Sequence, residues 1–218
     1  MTDTEICNMA LSKLNVARIT DLRDGTDTSR QATECRLIYD ITRDMVLRDF
    51  PWNFARKRQV LALVTDEYVG YDYAYMYPSD AVRAVEIYNP TSSMGYEDGY
   101  VVDGLYIEGR AKTKTPKIPY EVVTNSTLTH RHILTDQADA TLIYTARVIN
   151  PNNYDSSFIQ ALVWRLAADL ANPMKAQPQL ADQLMQRYML ALGSAEASDA
   201  DEASEIPAKV SSYESARG

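Results

Sequence analysis

The stretch Arg36 to Leu61, RLIYDITRDMVLRDFPWNFARKRQVL, imposes a change of period on the chain: residues before it repeat as helix, and for about 90 residues after it most repeat as strand. A fold built around it must therefore hold both a helical layer and a sheet. Ile38, Ile41 and Met45 recur at helical spacing and continue Ala32 and Cys35 upstream, so they are read as one buried stripe. Arg36, Asp40, Arg43, Asp44 and Arg48 then fill the wet faces. Pro51 disfavours helical geometry in the residue before it, which ends the helix at Asp49 or Phe50. Trp52 and Phe54 follow at period two, on one side of an extended segment. Phe50, Pro51, Trp52 and Phe54 thus form a packed hinge between helix and sheet.

Upstream, Thr2 and Glu5 have capping-box spacing ahead of a first helix with Ile6, Met9, Ala10 and Leu14 as its stripe and Asn15 as its stop. Thr20 to Thr28 is dense in turn formers around Gly25, and Thr28 with Gln31 repeats the capping-box spacing before the second helix. Downstream, Val60, Ala62 and Val64 alternate with Gln59, Leu61 and Leu63, giving a strand partly covered on both faces. Tyr71, Tyr73, Tyr75 and Tyr77 alternate with Asp72, Ala74 and Met76, an aromatic row on one face. Ala84 to Tyr88 makes another strand. Asp103-Gly104 between Tyr100 to Val102 and Leu105 to Ile107 fits a two-residue hairpin turn. Residues 109–119, with four cations and two prolines, suit an exposed loop or a protected sheet edge. Arg131 to Leu134 is read as the hairpin neighbour of the strand Ala140 to Val148, across Asp136-Gln137.

A third helix, capped by Asp155 or Ser156 and stopped by Asn172-Pro173, is apolar nearly all round. Such a helix must be covered on several sides, by the first two helices or by a neighbouring subunit; Phe158, Ile159, Leu162, Val163 and Leu166 are the interface set it offers. A fourth helix from about Gln179 carries the seam Leu180, Leu184, Tyr188, Ala191 and Ala195. Residues beyond about Ser194 are expected to be extended or mobile in the free protein and to order on a partner, and those past Ser204 have too little apolar content to fold alone. Ile206, Val210 and Tyr213 are isolated anchors in that tail.

The resulting fold class is α+β: a bundle of four helices interrupted by a mainly antiparallel sheet, with a flexible C-terminal tail. Its divisions are residues 1–55, the first helical pair; 56–150, the β-rich part; 151–203, the helices that complete the bundle; and 204–218, the tail.

Charge argues against one class of partner. The net charge is -8, distributed as +1 over residues 1–64, -5 over 65–150 and -4 over 151–218. Tight non-specific DNA binding needs clustered cations that release counterions, and this balance repels phosphates instead. Arg56-Lys57-Arg58 beside Trp52 and Phe54 is the one nucleic-acid candidate, and a polar strand entrance accounts for it better. Nine of the 15 tyrosines fall between Tyr68 and Tyr106, suiting a wet-faced strand or a contact surface for protein or carbohydrate. Cys7 and Cys35 lie on apolar helix faces and read as buried free thiols of a reducing compartment. No basic and apolar N-terminal signal and no apolar run near ~18 residues is present.

The chemistry-bearing residues form no recognisable set, so no catalytic, cofactor or metal residue is assigned. His130 and His132 share a face if both lie on a strand, but no Cys, Asp or Glu stands at ligand spacing. Asp21, Asp24 and Asp27 around Gly25 miss the spacing of a calcium loop and act as turn formers. Glu97-Asp98 and Asp201-Glu202 are the acidic pairs that an acidic chain always offers. No G-x-S-x-G elbow and no phosphate-cradling loop occurs among eight scattered glycines.

Two blocks of the chain carry a resemblance. Ile6 to Leu63, with ALSKLNVARITDLRDGTDTSRQATECRLIYDITRDMVLRDFPWNFARKRQVLAL at its centre, and Tyr144 to Ala171, with Asn150-Pro151 and then YDSSFIQALVWRLAADLA, resemble the tail tubular protein A family. These are the head-to-tail adaptors of short-tailed bacteriophages, and the blocks cover about half the chain. The resemblance implies a non-enzymatic structural protein of the virion, made in the host bacterial cytoplasm and placed at the head-tail junction. It implies a closed ring of about twelve copies, docked under the portal protein ring and above a tail nozzle of the tubular protein B kind. DNA would pass through its lumen without specific binding, and the tail anchors Ile206, Val210 and Tyr213 would clasp the portal. The rival classes are a virion-associated cell-wall glycan hydrolase and a tyrosine-rich module binding protein or carbohydrate.

Overall fold

A computed structural model describes residues 1–66, 68–88, 100–102, 105–107 and 117–202. The chain is mixed α and β and divides into two compact units, one of Met1–Val46 with Pro151–Gly218 and one of Leu47–Asn150.

The first unit is helical. Helix α1 (Asp3–Lys13) opens on the expected capping box: Thr2 Oγ1 accepts from the Glu5 amide at 3.2 Å, and Glu5 Oε2 from the Thr2 amide at 2.7 Å. Asn15 turns to φ 56°, the left-handed geometry an asparagine tolerates at a helix stop. The Asn8 side chain brackets the backbone of Ile19 from both sides, which lays the following loop against α1. Helix α2 (Arg30–Asp49) ends where Pro51 requires. Its start is one residue later than read from the sequence. Ser29, not Thr28, caps it, because Asp27 accepts the Ser29 amide and fixes that residue at the entrance.

Helix α3 (Ser156–Ala171) packs against α1 and against α4 (Pro178–Glu202). Tyr154 meets Phe158 edge-on at 4.8 Å. Leu184, Tyr188 and Ala195 are the buried part of the predicted α4 seam. Helix α4 also runs through Gly193 to Glu202, which corrects the expectation that residues from Ser194 are extended. One glycine costs only about 1 kcal/mol, and alanines around it favour continuation. Residues past 202, with Ile206, Val210 and Tyr213, lie outside the described residues.

The second unit holds strands β1 (Arg56–Val60), β2 (Tyr73–Met76), β3 (Ala81–Ile87), β4 (Tyr100–Val102), β5 (Leu105–Ile107), β6 (Glu121–Thr124), β7 (Arg131–Thr135) and β8 (Thr141–Ala146). They form antiparallel sheets β1-β8-β3 and β2-β7-β6, with β4 and β5 paired as the predicted hairpin; the Asp103-Gly104 turn itself is not among the described residues. Single bridges at Leu63 with Tyr75 and Ile87 with Ile118 stitch the two three-stranded sheets together at both seams. One core lies between them, built on Leu61, Tyr75, Tyr77, Ile133, Leu142 and Tyr144.

Three expectations are corrected here. The tyrosine row is split rather than wet along its length: Tyr75 and Tyr77 are buried in the core, while Tyr71 and Tyr73, the latter stacked on Tyr75 at 6.3 Å, are half-buried. The segment Gln59 to Val64, read as partly covered on both faces, buries only Leu61 and half-buries Val64, and β1 is exposed throughout. Finally, β7 and β8 follow each other without pairing, because the connection past Asp136 turns from one sheet to the other; the Tyr75 hydroxyl donates to the Gln137 carbonyl at 2.9 Å and holds that corner.

At the hinge, Asn53–Ala55 forms one turn of 3-10 helix rather than the expected extended segment; Trp52 is 1% exposed, with Phe50 edge-on at 4.9 Å and Phe54 tilted at 6.3 Å. Trp52→Ala is therefore expected to cost about 3 to 5 kcal/mol, read from urea unfolding monitored by circular dichroism. A cost below about 1 kcal/mol would mean that the indole contributes no packing.

Candidate functional site

Helix α2 carries two apolar rows: the fold buries Ala32 and Cys35 of the expected stripe, but continues the buried face through Tyr39 and Val46 rather than through Ile41 and Met45. Ala32, Cys35, Tyr39, Val46 and Leu47 are buried, together with Thr42 and Arg43. Leu37, Ile41 and Met45, spaced four residues apart, remain 68, 63 and 40% exposed, and Ile38 is half-buried. The assignment of Ile41 and Met45 to the buried stripe is thus corrected. Leu37 was missed altogether, although the i, i+4, i+8 pattern with Ile41 and Met45 was there to be found.

Polar partners decide which row goes inside. The Tyr39 hydroxyl donates to Asp3 Oδ1 at 2.8 Å, so a fully buried phenol keeps its hydrogen bond. Arg23 bridges Asp3 at 2.6 Å and Asp40 at 2.9 Å. Arg43, expected on a wet face, is only 3% exposed and is satisfied by Asp40 and Asp44, each at 2.8 Å. Thr42 donates to Asp169 on α3 at 3.1 Å. A buried guanidinium that lost these carboxylates would be strongly destabilising, so the network pins the rotation of α2 and with it the outward row.

The other predicted positions are now placed. On α3, Phe158, Leu162, Val163 and Leu166 belong to the core of the helical unit, and Ile159 alone is half-buried. Helix α3 is packed against α1, one of the two helices expected to cover it, and against α4, which was not among the expected covers. Cys7 and Cys35 are buried and free; the hydrogen bond with Cys35, then burial, pushes the Cys7 thiol up. Asp21, Asp24 and Asp27 spend their oxygens on the amides and hydroxyls of Thr20, Arg23, Asp24, Thr26 and Ser29, as turn formers do. Among the described residues no group of three or more His, Cys, Asp or Glu is placed to hold a metal ion. Nor is any helix there long and apolar enough to cross a membrane.

The histidines part company. His130 precedes β7 and is exposed beside Thr129, whereas His132 is 3% exposed, with Nδ1 at 2.8 Å from the Tyr68 hydroxyl and 3.6 Å from Asp66 Oδ2. Next to it an open depression of about 510 Å³ is lined by Tyr68, Tyr71, Tyr73, Asp66 and Asp72 among others.

On β1, Arg56 pairs with Glu86 at 3.5 Å and Lys57 with Asp80 at 2.7 Å. Arg58 lies over the Tyr88 ring at 4.1 Å. The basic run is thus partly neutralised by its own sheet. Asp80 also accepts from the Tyr144 hydroxyl at 2.9 Å; burial raises its pKa, but Lys57 and Tyr144 outweigh this and hold it below the usual range.

No family model matches the chain, and no curated protein matches it either.

These shifts fix the pH response. The Asp24 and Arg23 amides lower Asp21, Ser29 and Thr20 lower Asp27, and Arg23 lowers Asp40. Depressed carboxylates stabilise above their unfolded value, about 3.9, and that stability is lost as the pH falls through the folded values. In the opposite sense, burial raises Tyr39 and Tyr144 and pushes Tyr154 up to about 12. Their contribution is full below about 10 and is lost as the pH rises through the folded values. Urea midpoints should hold a plateau between these limits and fall on both sides. Asp40→Asn should lower the plateau and flatten the acid limb; an unchanged acid limb would show that its pairing with Arg23 contributes nothing.

Proposed function

We propose that this protein is a structural adaptor of a short-tailed phage virion, self-associating into a ring through its helical unit. In this reading the helices form a bundle into which the sheet-bearing unit is inserted. The observation that carries it is the exposed row Leu37, Ile41 and Met45, which lies inside the block of sequence that resembles the adaptor family. A row of large apolar side chains on an otherwise charged helix is what an association surface requires, and a second copy is the occupant that a ring supplies. Portal and tail nozzle are the further partners, and the net acidity suits a lumen through which DNA slides without being held.

Replacing Leu37 and Ile41 together by Lys should abolish the ring, read as oligomeric mass with and without portal. Stability of the subunit should change by no more than about 0.5 kcal/mol per site. A ring that survives both charges places the interface elsewhere. Deleting Ile206 to Gly218 should leave folding intact and abolish attachment to portal; full occupancy of portal-containing heads by the truncated protein would make the tail a solvated terminus.

One observation favours a second reading. Tyrosine rings and two carboxylates around the depression at Tyr68, Tyr71, Tyr73, Asp66 and Asp72 are groups that bind and cleave glycans. Release of reducing ends from cell-wall glycan by the isolated protein, lost in Asp66→Asn or Asp72→Asn, would favour that reading over the adaptor.

A further inference from the structure

The segment Arg56 to Val64 serves two sheets from one strand, and its hydrogen bonds show which part of it is left without a partner. The Leu61 amide donates to the Ala140 carbonyl at 2.9 Å, so by antiparallel alternation Lys57, Gln59 and Leu61 turn their backbone groups toward β8. Even-numbered residues turn theirs the other way. At Ala62 and Val64 those outward groups meet β2: Met76 donates to the Ala62 carbonyl at 2.8 Å and Val64 to the Ala74 carbonyl at 2.9 Å. Two residues earlier the partner is gone. β2 ends at Met76, the Tyr77 amide bonds instead to the Arg131 carbonyl, and Pro78 has no N–H to offer. The Arg56 amide is taken by Asn53, but among the described residues Arg58 and Val60 have no backbone partner on this edge.

Beside this open edge lies a groove of about 500 Å³, bounded by Gln59, Ala62, Tyr77, Ser79, His130 and Arg131 among others, with no carboxylate in its lining. The Arg131 guanidinium rests on the Tyr77 ring at 4.0 Å and has no carboxylate partner among the described residues. Stacking fixes the plane of the cation and leaves its N–H edges available for an anion.

We propose that this edge accepts an acidic, extended peptide segment of a partner chain as an added strand. Its backbone pairs with Arg58 and Val60, and one of its carboxylates meets Arg131. The chemistry of the edge selects this occupant over others. A second copy of the same edge would bring its own Arg58 and Arg131, neither paired with a carboxylate among the described residues, against these, and like charges facing each other across a strand pair repel. A nucleic-acid backbone has no donors to match the outward carbonyls. An acidic strand satisfies both the alternating backbone groups and the cations. This inference concerns the sheet-bearing unit alone and stands whether or not the helical unit forms a ring.

The test uses the full chain and a fluorescein-labelled peptide, Gly-Glu-Val-Glu-Val-Glu-Gly, followed by anisotropy. A version with Lys for each Glu, and one with alternate amides N-methylated, serve as controls. The Glu peptide should saturate below about 1 mM and bind at least about tenfold tighter than either control. The amide protons of Arg58 and Val60 should gain protection from exchange. Val60→Pro removes an amide that faces away from β8, a position an edge strand tolerates, and should weaken binding about tenfold with the circular dichroism unchanged. Arg131→Glu should reverse the preference toward the Lys peptide.

The proposal is overturned if the Glu peptide does not saturate, or if the Lys or the N-methylated peptide binds equally well. It is also overturned if a single-stranded oligonucleotide of equal charge competes as strongly as unlabelled Glu peptide, or if the edge is consumed by self-association that Val60→Pro abolishes. Should Val60→Pro not fold, the N-methylated peptide carries the same backbone test without altering the protein.

Discussion

The sheet-bearing unit depends on one strand doing the work of two. Residues 56–60 form an outer strand of one sheet, and Leu63 bridges to Tyr75 in the other. Between them Leu61 is buried in the core that both sheets share. A three-stranded sheet needs a covered apolar face to be stable, and the common core with its stitched seams supplies that cover to both sheets. The seam at Ile87 and Ile118 does the same on the opposite side. Continuity of the chain through Leu61 therefore matters more than the regularity of either strand, and the open edge at Arg58 and Val60 is where one strand cannot be matched by β2 along its full length.

In the helical unit the equivalent constraint is the rotation of α2. Two apolar rows compete for the interior, and by apolar content alone either could win. The buried row includes Tyr39 and Arg43, whose polar tips need partners; Asp3, Asp40 and Asp44 supply them. Once those bonds are made, Leu37, Ile41 and Met45 have nowhere to go but outward. An exposed apolar row is thus a consequence of how a polar network was satisfied, which separates it from the single exposed apolar residues that every surface carries.

Signals that depend on near neighbours are mostly legible in the sequence, although the α2 cap falls on Ser29 rather than Thr28 and α4 runs past Ser194; non-local ones are not. The capping box at Thr2 and Glu5, the stop at Asn15, the end of α2 before Pro51 and the pairing of Tyr100 to Val102 with Leu105 to Ile107 all depend on neighbours within a few residues. The face of α2 depended on Asp3, which lies 36 residues from Tyr39. The tyrosine row was misjudged because period two states only that Tyr73, Tyr75 and Tyr77 share a side, not which side is dry. β7 and β8 looked like a hairpin because the connection is short, yet a short connection also turns a corner between packed sheets. For the candidate site, the row of Leu37, Ile41 and Met45 is legible as an i, i+4, i+8 pattern whose outward role is not, whereas the open edge follows only from the strand pairing.

The distribution of cations on the sheet explains how an acidic chain can still offer an anion a place to bind. Arg56 and Lys57 are spent on Glu86 and Asp80. Arg58 and Arg131 are held instead against Tyr88 and Tyr77, whose rings orient a guanidinium without cancelling its charge. Beyond about 10 Å at ordinary salt the net negative charge of the chain is largely screened, so an approaching partner senses local charge. At contact it meets two unneutralised guanidiniums beside an unpaired strand edge. Such a surface favours a short acidic segment whose backbone can also be paired, so selectivity comes from requiring charge and strand geometry at once.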